Sequence, residues 1–172
     1  MSTSSRPYLI VTMLSALWCA AIFGAPLLKH AGQKELAAVG YALFSRVCHQ
    51  NDARSFHLDG EKFGVCIRCT AVYFGFLIGC IIQLVLRSTR SKSARRDAFI
   101  VSVAPMILDI LLDACGFHES TPISRLITGG LFGAATSWFV LPLLIEACNQ
   151  IINQVGIHPS PSGVLQYVRK AW

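Results

Sequence analysis

The chain is 172 residues long, with 53% hydrophobic residues, 14% charged residues and a formal net charge of +6. Its mean hydropathy of +0.54 is too high for an ordinary soluble domain of that size, so the composition points to a bilayer. The positive charge does not indicate nucleic acid, because the basic residues are spread along the chain without an interleaved aromatic platform.

A hydrocarbon core of about 30 Å takes roughly 20 apolar residues as a helix. Unpaired backbone is too costly in lipid for an irregular segment to cross. Tyr8 to Leu28, Ala71 to Leu86, Ala98 to Ala114 and Ile123 to Ile145 are apolar enough. The fold expected is therefore all-α: a polytopic membrane protein of four transmembrane helices forming a single membrane domain over 1–172. The second and third stretches are short, and flanking residues or local thinning must complete them. The first stretch reads as a membrane helix rather than a secretory signal, since Pro26 spoils cleavage at Ala25 and Cys19 lacks the small preceding residue of a lipoprotein site.

The segment 87–97 carries Arg87, Arg90, Lys92, Arg95 and Arg96 before its first acid, Asp97, which marks it as cytoplasmic by the positive-inside rule. The loop 29–70 then faces outward, and both termini lie inside, with Arg6 at one end and a tail over 147–172 holding Arg169 and Lys170 at the other. In that tail Leu165, Val168 and Trp172 suggest a short interfacial anchor.

Within the outward loop, Leu36, Val39, Leu43, Phe44 and Val47 recur at helical spacing, so Lys34 to Val47 reads as an amphipathic helix lying along the outer interface and ending at Cys48. Next, Ser55-Phe56-His57-Leu58 and Glu61-Lys62-Phe63 flank Asp59-Gly60, a pair suited to the positive φ angles of a type I′ hairpin turn. That register sets Phe56 opposite Phe63 and Cys66 near Ala53, which returns Cys66 toward Cys48.

Cys66-Ile67-Arg68-Cys69 immediately precedes or opens the second membrane helix, where free N–H groups and the positive end of the dipole favour a thiolate. Arg68 is expected to add a cation beside both sulfurs. Thiolates are both nucleophiles and metal ligands, so two chemistries follow from one arrangement. Cys48, His49, Cys66 and Cys69 can form a Cys3His site for zinc, with His57 or His118 as the replacement if adjacent Cys48 and His49 cannot both reach. Cu(I) would accept the same sulfurs. Alternatively Cys66 and Cys69 cycle as a membrane thiol-disulfide oxidoreductase with Cys48 resolving, or the cysteines form a structural disulfide. Cys19, Cys80 and Cys148 read as small hydrophobes of the membrane helices, while Cys115 lies closer to the level of the loop.

Asp109 and Asp113, four apart, project from one face of the third helix. Arg125 sits in the first turn after Ser120-Thr121-Pro122, a capped helix start where a cation needs a partner. Acids within a membrane segment point at protein or water, so these residues form either an ion pair locking two helices or a proton relay or polar ligand site of the kind a small transporter uses. Arg54, Arg68 and Tyr73 reach the same level, Tyr73 either beneath Cys69 or as an interfacial aromatic anchor. Pro105 should kink the third helix. Gly75 with Gly79, and Gly129 with Gly133, mark close helix packing. No P-loop, dinucleotide-binding glycines or hydrolase triad is evident, which leaves open whether the chain is an enzyme. The partner indicated is the lipid bilayer, with self-association or a larger membrane complex in view because four short helices bury little surface.

Taken together, Cys48-His49-Gln50, Arg54-Ser55-Phe56, Cys66-Ile67-Arg68-Cys69-Thr70 with Tyr73 and Gly75, the acidic third helix and Arg125-Leu126-Ile127-Thr128-Gly129 resemble a prokaryotic family of small integral membrane proteins, number 2085 in the domain-of-unknown-function series. The resemblance covers roughly Leu43 to Gly133. It implies a multi-helix protein of a prokaryotic cytoplasmic membrane and brings no activity with it. The chain departs from the family at Ala71, where glycine is frequent.

Overall fold

The computed structural model describes residues 6–86, 92–117 and 119–155. Helix α1 spans Arg6–His30, turns through Ala31-Gly32-Gln33 with Gly32 at φ 79°, and is followed by α2, Lys34–Phe44. So short a turn folds α2 back along α1, and the two backbones approach at Gly40, where an added side-chain carbon would stand 3.2 Å from the Ala25 Cβ. Phe44 and Ala37 face inward, whereas Leu36, Val39 and Leu43 form an exposed apolar stripe.

A single 3-10 turn, Asp52–Arg54, leads into β1, Ser55–Leu58, which pairs antiparallel with β2, Glu61–Cys66. Asp59 and Gly60 take φ 50° and 82°, the two positive values of the expected turn. His57 pairs with Lys62 as expected, and the Phe56 and Phe63 rings lie 5.8 Å apart. The register then shifts between Ser55 and His57, so Cys66 lies opposite Ser55 and not beside Ala53. Bulges of this kind re-aim the strand at its end, and this one brings the Cys66 backbone to Cys48.

Helix α3, Ile67–Leu86, starts directly from β2, earlier than the apolar run alone indicates, so Cys69 lies within its first turn. Helix α4, Lys92–Ala114, begins inside the stretch expected as a basic loop, and it continues through Pro105. Arg87, Arg90, His118 and the interfacial anchor after Gly156 lie outside the described residues. Helix α5, Pro122–Val155, runs past Ile145 because nothing between there and Val155 breaks a helix.

Among the described residues, three helices are long and apolar enough to cross a membrane: α1, α3 and α5 over Pro122–Ile151. Helix α4 is not among them, because Arg95, Arg96 and Asp97 near one end and Asp109 and Asp113 near the other leave a short uncharged stretch between. Ser15 meets Cys80 and the Phe23 ring meets Phe74, so α1 and α3 run antiparallel. Helix α5 runs parallel to α3 and packs on it most extensively. Their contact depends on four glycines, Gly75, Gly79, Gly129 and Gly133: a Cβ at Gly75 would lie 2.2 Å from the Gly130 carbonyl oxygen, and one at Gly133 would lie 2.1 Å from that of Val72. Without a hydrophobic drive between helices in lipid, this close approach is what holds them.

Candidate functional site

Two polar clusters flank the first turn of α3. On the side facing α1 and α2, a core of Ile22, Phe44, Cys48 and Val65 encloses the Cys48 sulfur, with Phe63, Cys66, Cys69 and Tyr73 packed against it. The chain leaves α2 through Ser45 to Val47, and the Cys48 N–H still donates to the Phe44 carbonyl at 3.0 Å, which fixes the sulfur on the inward face. Cys66 is the last residue of β2 and Cys69 lies three residues on, in α3. Their sulfurs are 3.5 Å apart, and the Sγ atoms of Cys48, Cys66 and Cys69 all lie within 4.8 Å of one another.

The Cys48 sulfur accepts two backbone hydrogen bonds, from the Cys66 N–H at 3.2 Å and the Gln50 N–H at 3.4 Å. Hydrogen bonding with the Cys69 thiol is the largest influence on Cys66 and pushes its thiol down to about 5; burial opposes it, and the backbone N–H groups of Cys69 and Arg68 at the helix start add to it. Thr70 donates its hydroxyl to the Cys66 carbonyl at 3.1 Å, tying strand end to helix start.

His49, expected as a fourth ligand, is exposed and does not belong to the three-sulfur group. His57 points at Asp52, 3.3 Å away, on the exposed hairpin. Cys19 and Cys80 are buried, Cys80 against Ser15, while Cys115 and Cys148 are exposed. Tyr73 lies edge-on to Trp18, with ring centres 5.8 Å apart. These two residues head an apolar groove of about 390 Å³ between α1 and α3, which also includes Leu14, Cys19 and Phe76.

The second cluster lies toward α4 and α5. Arg68 does not stay beside the sulfurs: its guanidinium crosses to Asp109, with a further contact to the Ser120 hydroxyl at 3.4 Å. An arginine on a helix adjoining two buried carboxylates gains more from a pairing there than from half-buried thiols. Asp109 also accepts from the Ser124 hydroxyl at 3.0 Å. Asp113 receives Arg54 at 3.2 Å, Arg125 at 3.6 Å and the Ser120 N–H at 3.2 Å. Asp109 and Arg125 are each 8% exposed. The expected pairing of Arg125 with an acid of α4 is present, and Arg54 and Arg68, expected at the same level, take part, so the network joins the 3-10 turn, α3, α4 and α5. The serines were not foreseen as members. Only Ser120, at a helix start, carried a signal.

The three apolar helices define a membrane protein. More narrowly, residues 48–139 match the family model described as "Predicted membrane protein (DUF2085)", and the chain belongs to that family. An uncharacterized protein of Methanocaldococcus jannaschii is 32% identical over 145 residues, covering 81% of this chain and 93% of the relative. A second uncharacterized protein, from Methanothermobacter thermautotrophicus, is 30% identical over 90 residues, covering 50% of this chain and 77% of its own length. No solved structure matches the chain.

Proposed function

We propose that this protein is a four-span protein of the cytoplasmic membrane whose outward-facing cysteine cluster binds a thiophilic metal ion, zinc first. One observation carries the reading: sulfurs from two chain segments, separated by the whole hairpin, meet within 4.8 Å of one another. Ligands about 2.3 Å from a tetrahedral zinc stand roughly 3.8 Å apart, so the ion needs only small adjustments of these side chains. The lowered Cys66 favours the thiolate form that a metal requires, and two backbone N–H groups hold the Cys48 sulfur in place. The fourth position falls to His49, adjacent to Cys48 and free to swing, or to water. In this reading α4 is the fourth span, its acids covered by Arg54, Arg68 and Arg125. That pairing supports a helix lock in preference to a transport site. Elemental analysis of protein purified without chelators should find about one zinc per chain, lost in Cys66→Ser; a metal-free wild type ends the proposal.

The 3.5 Å separation of Cys66 and Cys69 at a helix start favours a second reading, a membrane dithiol oxidoreductase. Closing that disulfide would release two electrons and two protons to a quinone or a partner protein. Alkylation trapping in cells should then capture both redox states, and a permanently reduced pair would argue against this chemistry.

A further inference from the structure

Gln50 holds a conformation that its own residue type disfavours. Its φ is 50°, in the left-handed region that glycine, asparagine and aspartate usually supply. Strain of this kind persists only where the surroundings over-determine it, and it concentrates at functional sites. Here the restraint is explicit. The Gln50 side-chain amide donates to the Tyr41 carbonyl and to the Gly64 carbonyl, each at 2.8 Å, while its own carbonyl accepts from the Lys62 ammonium at 3.1 Å. One residue thereby ties the end of α2, which delivers Cys48, to β2, which delivers Cys66.

The consequence lies in the backbone. Held in place by these contacts, Gln50 presents its own backbone N–H to the sulfur two residues earlier, and that N–H is one of the two donors to Cys48. The other donor is the Cys66 N–H, and its position depends on the β2 backbone that the Gln50 amide grips at Gly64. Both hydrogen bonds to the buried sulfur therefore trace to the same side chain. A glutamate of equal length would present carboxylate oxygens to two carbonyl acceptors and could not serve. Glycine would relieve the φ strain but lose both tethers.

We infer that Gln50 is the positioning residue of the thiol site: its amide clamp presets the Cys48 sulfur as a ligand before any ion arrives. The inference rests on the metal-binding reading and assigns Gln50 no contact with the ion. The test uses the full chain in detergent with Cd(II), whose charge-transfer absorption reports bound thiolates, on wild type, Gln50→Glu, Gln50→Gly, Cys48→Ala and the Cys48→Ala/Gln50→Glu double variant. Gln50→Glu and Gln50→Gly should each weaken Cd(II) at least about tenfold and reduce the absorption per ion by about a third, the share of one sulfur in three. In the Cys48→Ala background Gln50→Glu should cost nothing more, because a positioning role vanishes with the group positioned. Unchanged affinity and absorption in both Gln50 variants, or a further loss on top of Cys48→Ala, overturns the role while leaving the metal site intact. Gln50→Gly also separates this role from general folding, since it removes strain rather than adding a charge. No Cd(II) binding by the wild type overturns the site itself, and this inference with it.

Discussion

In the metal-free protein Cys66 should remain a thiolate far below the range of an ordinary cysteine. With its value at about 5, the ionised fraction at pH 6 is about 0.9, against about 0.003 for a free thiol titrating near 8.5. Each group normalised to its own alkaline plateau, Cys66 should react with iodoacetamide at pH 6 at nine-tenths of its maximum, while a cysteine peptide runs some 300-fold below its own. Normalising removes the slow access of a half-buried sulfur and the lower intrinsic nucleophilicity of a weakly basic thiolate. Peptide mass spectrometry after chelator treatment reads the occupancy at Cys66 directly. Cys69→Ala should move the midpoint upward, because it removes the hydrogen bond that lowers Cys66 most. The thermodynamic sign follows: the folded value lies below the unfolded one, so this group's contribution to stability is complete above about pH 8.5 and is lost as pH falls through about 5. A Cys66 midpoint of 8 or higher, or one indifferent to Cys69→Ala, would refute the electrostatic account.

The remaining predictions concern the scaffold. Gly75→Ala and Gly133→Ala each place a carbon against backbone oxygen at 2.2 and 2.1 Å, and overpacking of that kind costs about 1–3 kcal/mol; thermal unfolding in detergent should show both losses, whereas Gly24→Ala, which meets nothing within 4 Å, should not lower stability. Cys115 and Cys148 are both exposed, near the two opposite ends of the helices. In single-cysteine variants an impermeant maleimide added to intact cells should label Cys115, and Cys148 only after permeabilisation; the reverse pattern inverts the proposed topology.

Sequence reasoning succeeded where one local rule governs. Apolar runs located α1, α3 and α5; Asp59-Gly60 located the hairpin; the acids four apart on α4 with Arg125 located a buried pairing. It failed where two elements compete for one group. Arg68, between two cysteines, reads as their counter-charge, yet carboxylates across the helix interface outcompete half-buried thiols for a guanidinium. The shift in hairpin register, which decides what Cys66 faces, arises from fitting β2 to Cys48 and Ile22, contacts that no periodicity records.

The first turn of α3 explains why those competing demands fall together. Cys66 and Cys69 face α1 and α2, and Arg68 between them faces α4 and α5, so residues adjacent in sequence diverge by about 100° per residue onto different neighbours. A tetrapeptide that resembles a thiol motif with an accessory cation therefore has two jobs: the sulfurs build the site, and the arginine fastens the helix carrying them to the acids of α4. The Arg68–Asp109 contact thus anchors to α4 the same helix turn whose backbone N–H groups lower Cys66, and both clusters occupy one end of the bundle.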